Sequence, residues 1–183
     1  MKKDGVGGGN TQTGLVFEGR VDLQILLNKI PGYTIRPIFG KAGVGVYFER
    51  TLVARCFRKY DFYDFLSESG IDWREILSKR LIPDDAILVI VRDTLFIIEV
   101  KFQQGYGSVD EKLQTCDFKR KQYIKLVSSL GLKVEYVYVL NDWFRQSSYK
   151  DVLDYIHSVN CEYCFNEIPI TWLGLPTKED EEG

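Results

Sequence analysis

Two short apolar runs, Ala86 to Val91 and Leu95 to Ile98, constrain this chain more than any other stretch. The first reads Ala-Ile-Leu-Val-Ile-Val and the second Leu-Phe-Ile-Ile, with polar Arg92-Asp93-Thr94 between them. Both are too short for a buried helix and rich in β-branched residues. They therefore read as strands covered on both faces of a sheet, joined as a hairpin. Ile82-Pro83-Asp84-Asp85 precedes the hairpin and Glu99-Val100-Lys101 follows it. Pro83 cannot donate a ladder hydrogen bond, which places it at a strand start or a bulge.

Folding the hairpin about Asp93 sets Val91 against Leu95, and Asp84 or Asp85 against Lys101 or Phe102. Side chains alternate along a strand, so Glu99 and Lys101 share a face, with Asp84 in diagonal reach. A bulge at Pro83 would exchange Asp84 for Asp85. Two carboxylates and an ammonium at one sheet edge suit phosphodiester chemistry. Mg²⁺ prefers oxygen ligands, and one or two carboxylates plus substrate phosphate make up many of its sites. An ion between Asp84 and Glu99 would polarise a phosphoryl oxygen and activate water. Lys101 would stabilise the developing charge or orient the water. Each half of the pattern is common as the polar end of a buried strand; the pairing of the two gives it meaning.

The Pro-Asp, apolar hairpin, Glu-x-Lys arrangement resembles the PD-(D/E)XK nuclease superfamily, and within it the type II restriction endonucleases. Asp84 matches the motif aspartate, Glu99 the acidic residue and Lys101 the lysine. The resemblance implies an α/β fold with a restriction-endonuclease-like αβββαβ core, a central mixed sheet flanked by helices. It also implies that the Val100 carbonyl joins Asp84 and Glu99 on the metal, Mg²⁺ with Mn²⁺ able to substitute. In many members an acidic residue on the first helix completes the site. Glu18 is the candidate here, although a glutamate near a helix N-terminus also favours the helix dipole. The implied activity is hydrolysis of double-stranded DNA. Cutting two strands needs two sites, so a homodimer is the simplest arrangement, with a heteromeric nuclease subunit also open. A repair or Holliday-junction type nuclease, and a catalytically silent DNA-binding module on the same fold, remain alternatives.

The chain has 183 residues, enough for one domain with a substantial core. Its net charge of −2 argues against an overall basic nucleic-acid binder. The run Lys178-Glu179-Asp180-Glu181-Glu182 accounts for more than that whole excess, within an acidic tail at 176–183. Arg50, Arg55, Arg58 and Lys59 cluster, as do Lys119, Arg120 and Lys121, and either patch would serve phosphates or simply be solvated. No apolar run is long enough for a membrane span and no signal-peptide pattern opens the chain, so a cytoplasmic location is expected. Cys161-Glu-Tyr-Cys164 has the spacing of half a zinc site, but no second pair exists, and two small residues in a half-buried strand is the default.

Residues 1–12 read as a flexible glycine-rich arm. Leu15 to Ile30 reads as an amphipathic helix ended by Pro31-Gly32. Residues 33–80 read as an irregular insertion or recognition segment, with Tyr47 to Cys56 a strand or binding segment, and short helices at Tyr60 to Glu68 and Trp73 to Arg80. After Lys101 a two-glycine loop leads to a helix from Val109 to Leu130. Ser108 is its expected N-cap, with Glu111 completing a capping box. Leu113, Cys116, Tyr123, Val127 and Leu130 form its apolar stripe, with Gln114 and Lys119 largely off it. Gln103, Ser108, Gln114 and Lys119 are the candidate DNA contacts, because the loop borders the site. Lys133 to Leu140 reads as a strand, Tyr149 to Val159 as a helix and Glu162 to Phe165 as a final strand.

Overall fold

A computed structural model describes residues 14–18 and 22–178 of the chain. The fold is α/β, with a mixed seven-stranded sheet flanked by helices. The sheet runs β2 (Tyr33–Pro37), β3 (Val44–Phe48), β4 (Thr51–Arg58), β5 (Asp85–Val89), β6 (Thr94–Lys101), β7 (Lys133–Leu140) and β8 (Glu162–Phe165), in that spatial order. Strands β2 to β6 form an antiparallel meander, whereas β6, β7 and β8 are parallel. Most antiparallel neighbours are joined by short connections, but the one between β4 and β5 carries a helix, Asp61–Glu68. Parallel ones need a crossover, supplied here by helices.

Strand β6 lies inside the sheet between β5 and β7, and its first six residues are all buried. Alternation divides it cleanly. Phe96 and Ile98 join the apolar layer formed with α1 (Leu23–Asn28), while Leu95 and Ile97 join the layer beneath α2 (Asp61–Glu68) and α4 (Cys116–Val127). Tyr123, Tyr136 and Tyr138 fill that second layer, and α5 (Lys150–Ser158) covers it further along through Ile156.

The segment 33–58 is not an irregular insertion: it supplies three strands of the central sheet. Two of its glycines mark a turn. Gly43 has φ +67°, and a Cβ there would fall 2.2 Å from the Cys56 carbonyl oxygen, so the close approach of β3 and β4 needs a glycine. Gly40 and Gly43, which suggest irregularity in the sequence, lie in the turn between β2 and β3, while Gly45 sits inside β3 itself.

The helix expected from Leu15 to Ile30 is also corrected. Gly14–Val16 is a strand, β1, paired antiparallel with β9 (Glu167–Pro169). Leu15 and Phe17 are buried while Val16 is exposed, a period of two rather than 3.6. The helix begins only at Leu23, after Asp22 in an extended conformation.

The expected helix Trp73 to Arg80 shrinks to a single 3-10 turn over Trp73–Glu75, entered through Asp72, whose side chain accepts from the Arg74 N–H. The helix expected from Val109 to Leu130 is broken into α3 (Val109–Leu113), α4 and a 3-10 turn at Ser128–Leu130. At the break, the Thr115 hydroxyl donates back to the Lys112 carbonyl at 2.7 Å, competing with the helical ladder. Ser108 precedes α3 but makes no capping bond through its side chain. The described residues contain no helix long and apolar enough to cross a membrane.

Candidate active site

Between β5 and β6 the register is offset from a simple hairpin folded about Asp93. Ile90–Arg92 form a 3-10 turn and Asp93 takes a left-handed conformation (φ 47°), so Val89 rather than Val91 closes the ladder, opposite Thr94. Asp85 therefore pairs with Ile98, and Asp84 comes level with the Glu99–Val100 peptide just outside the ladder. There the Asp84 carboxylate accepts the Val100 N–H at 3.2 Å.

Alternation separates the two aspartates across the sheet. Asp85 lies on the α1 face and accepts the Leu23 N–H, at the start of α1, at 3.4 Å. Burial pushes its carboxyl up to about 7. The Leu23 N–H opposes that rise, while Asp22 and Asp84 reinforce it. Asp84 lies with Glu99 and Lys101 on the α4 face. Lys101 Nζ stands 3.0 Å from Glu99 Oε2 and 3.9 Å from Asp84 Oδ2, so one ammonium bridges the two carboxylates.

Glu99 is buried, whereas Asp84 is half-exposed and opens the cluster to solvent. A second cation, Lys119 on α4, reaches Glu99 at 2.9 and 3.0 Å. Burial raises the Glu99 carboxyl, but Lys101 and then Lys119 outweigh it and hold the group below its ordinary range. The Tyr136 hydroxyl also favours the charged Glu99, though it closes no hydrogen bond of ordinary geometry and stays buried without a partner.

Lys119, expected as a DNA contact off the apolar stripe, is placed otherwise. It falls between Cys116 and Tyr123 at helical spacing, on the stripe itself, and faces the sheet. A lysine at that spacing, over a Glu-x-Lys strand, is the signal in the sequence that points to it.

The other candidates are placed differently. Gln103 turns inward. Its backbone and the Asn141 amide exchange hydrogen bonds of 3.2 and 2.7 Å, while its own side-chain amide donates to the Gly105 carbonyl and to Asp110. It thus ties the loop after β6 to the end of β7, and its buried Oε1 makes no hydrogen bond. Ser108 is exposed in that loop. Gln114 is exposed too, and lines a hollow of about 560 Å³ with Tyr106, Asp110, Tyr149 and Tyr155. None of the carboxylate cluster lines that hollow. Glu18 is exposed beyond β1, next to Phe17, whose N–H donates to Asn166 O at 2.7 Å. It lies ahead of the first helix rather than on it, and takes no part in the ion pairs that join Asp84, Glu99 and Lys101.

The basic clusters are largely spent internally. Arg55 donates to Glu68 and to the Ala42 carbonyl, Arg58 pairs with Asp22 at 2.9 Å, and Lys121 pairs with Asp117 at 2.7 Å. Cys161 is buried and Cys164 half-buried, both as free thiols, and among the described residues no group of three or more His, Cys, Asp or Glu is arranged to hold a metal ion.

Oxygen donors such as those of the carboxylate cluster would suit a hard cation. Asp84 and Glu99 provide oxygen ligands around the point where the Lys101 ammonium now sits, and Asp84 leaves one side open to solvent. Two carboxylates, one of them open to solvent, would suit Mg²⁺, whereas a structural zinc would call for thiolate or imidazole ligands. Comparison with family models, with curated proteins and with solved structures found no match for this chain.

Proposed function

We propose that this protein is a Mg²⁺-dependent endonuclease acting on double-stranded DNA, of the type II restriction kind. One observation carries the reading: Asp84, Glu99 and Lys101 meet on one face where the central strands β5 and β6 end, both carboxylates within 4 Å of the Lys101 ammonium. Their setting supports it. Helix α1, the antiparallel strands β4, β5 and β6, the helical crossover α3–α4 and parallel β7 can be laid over an αβββαβ core, with β2 and β3 added before β4 and α2 inserted between β4 and β5.

On this reading Asp84, Glu99 and the Val100 carbonyl hold the ion, which supplies Lewis-acid polarisation of the phosphate when bound. Lys101 lies beside both carboxylates and is placed to stabilise charge building on a phosphoryl oxygen, or to orient the attacking water. Lys119 keeps Glu99 ionised and fixes its direction from α4. Asp85 contributes structure rather than chemistry, since it faces the opposite side of the sheet.

The test is digestion of long unmethylated duplex DNA with Mg²⁺, beside Asp84→Ala and Lys101→Ala. Discrete fragments are expected from the native protein, with a loss of about 10²- to 10⁴-fold in either variant, the range for removing a group acting in the transition state. Cutting only of branched DNA would favour a repair or junction nuclease. Equal activity in the variants would remove the site.

A second reading has one observation in its favour. Glu99 is already held by two ammonium groups, and a metal would have to displace at least one of them. If the two lysines satisfy Glu99 permanently, the protein is a silent DNA-binding module on the same framework. Calorimetric titration with Mg²⁺ and Mn²⁺ separates the two: the nuclease reading expects uptake that Asp84→Ala abolishes, the silent module none.

A further inference from the structure

Arg80 lies in the segment that leads into Pro83-Asp84, and its surroundings set it apart from most arginines of the described chain. Arg55, Arg58, Arg74 and Arg145 are each paired with a carboxylate, and Arg92 donates to the Trp172 carbonyl. Arg80 is exposed and forms no hydrogen bond or ion pair with any described residue. Its guanidinium instead lies 4.9 Å from the ring centre of Trp73, 5.6 Å from Tyr63 and 5.9 Å from Tyr60. Three rings fix the position of a planar cation while leaving its N–H donors free. Two carboxylates line a hollow with Arg80: Asp72 is taken by Arg74 at 2.6 Å, and Asp64 forms no ion pair with Arg80.

The backbone beneath Arg80 is equally fixed. The Leu81 carbonyl accepts from the hydroxyls of Tyr63 at 2.8 Å and Tyr123 at 3.3 Å, while the Leu81 N–H donates to Tyr63 at 2.9 Å. Tyr63 and Tyr123 belong to the same apolar layer as Ile97, Tyr136 and Tyr138, so Arg80 is anchored on the face that carries Glu99 and Lys101. Four residues of chain span at most ~14 Å, which bounds the distance from Arg80 to Asp84 along the backbone. Phosphates along one DNA strand advance ~3.4 Å each along the helix axis. A phosphate that an ion would hold beside Asp84 thus brings others of the same duplex within reach of Arg80.

We infer that Arg80, on its platform of Trp73, Tyr63 and Tyr60, is a preorganised contact for the phosphate backbone of duplex DNA, seating the substrate beside the cleavage site. The inference rests on the nuclease reading and deepens it. A fork of free N–H donors engages two phosphate oxygens at once, and a contact of that kind sets register and affinity rather than base choice.

The experiment is fluorescence anisotropy of the full chain with a labelled unmethylated duplex in EDTA, over a series of salt concentrations. Arg80→Ala should weaken binding several-fold and lower the slope of log affinity against log salt by about 1, and Arg80→Lys should recover part of both. Arg80→Gln, nearly as long but uncharged, should behave like the alanine variant, and it decides the matter should Arg80→Ala fail to fold. Duplex binding with unchanged affinity and salt slope in the alanine and glutamine variants would overturn the inference and leave the nuclease reading standing. Failure of the native protein to bind duplex, or binding of single strands only, would overturn both. Asp84→Ala serves as the opposite control, expected to bind at least as tightly as the native protein while failing to cut.

Discussion

Asp84 and Asp85 are neighbours in sequence, yet the pleat sends them to opposite faces. Asp84 stays half-exposed beside Lys101, while Asp85 is buried against the start of α1 with its carboxyl pushed up to about 7. The consequence for stability has a definite sign. An unfolded aspartate loses its proton near pH 4, whereas folded Asp85 keeps it to about 7. The folded state therefore binds more protons across that interval, and stability falls as pH rises from about 4 to 7, then levels off. A tenfold difference in proton affinity between the two states is worth ~1.4 kcal/mol. Asp85→Asn keeps an oxygen for the Leu23 N–H and removes the ionisation. It should be more stable than the native protein at pH 8, by an amount of order 1–4 kcal/mol, and nearly equal to it at pH 4. Urea unfolding at the two pH values checks this; an equal effect at both would show that Asp85 does not carry the proton.

At the scale of elements, what was legible depended on whether a feature needed register. Glu99 and Lys101 share a face by alternation alone, so their association could be read from the sequence without knowing how β6 pairs. The position of Asp84 could not, because Ile90-Val91-Arg92 has strand-like composition yet folds as a 3-10 turn, moving the pairing by three residues. The segment 33–58 hides its strands for a related cause: glycines between β2 and β3, and Gly45 within β3, make it look broken until the pairing is known. Lys119 was legible as helical but not as facing the sheet, since a charge on an apolar stripe is recognisable only against the carboxylate it meets. Helix α2 is fastened to the sheet by another such contact. Glu68, at the end of α2, accepts from Arg55 on β4 and from the Ala42 N–H at 2.7 Å. The Arg55 hydrogen bonds, with help from the Ala42 N–H and Lys41, hold its carboxyl down at about 2 against the opposing effect of burial. This contribution is complete above about pH 4.5 and is lost as pH falls through about 2. Glu68→Gln should cost roughly 1–2 kcal/mol at pH 7, discounted for partial exposure of the pair, and little at pH 2. Chemical denaturation at both values measures the difference; an undiminished cost at pH 2 would assign the effect to shape rather than charge.

On the nuclease reading, the described residues present one carboxylate–lysine site to a substrate with two antiparallel strands. Asp84 opens that site to solvent at the margin of β5 and β6, and Arg80 stands on the same face, upstream in the chain. A single copy can therefore engage one strand at a time, and cutting both strands without a pause requires either two copies bound together or a second visit in reversed orientation. The two routes differ kinetically. A dimer assembled on DNA should convert supercoiled plasmid to linear product with little nicked circle accumulating. Sedimentation of the complex with a short duplex should give two chains per DNA. A lone copy should build up nicked circle before linear product appears, and should sediment one to one. Asp84→Ala mixed with native chain makes the distinction sharp. A dimer should then leave heterodimers that only nick, so nicked circle rises in proportion to the variant added. For independent copies, the variant should merely dilute the rate and leave the ratio of nicked to linear product unchanged at equal turnover.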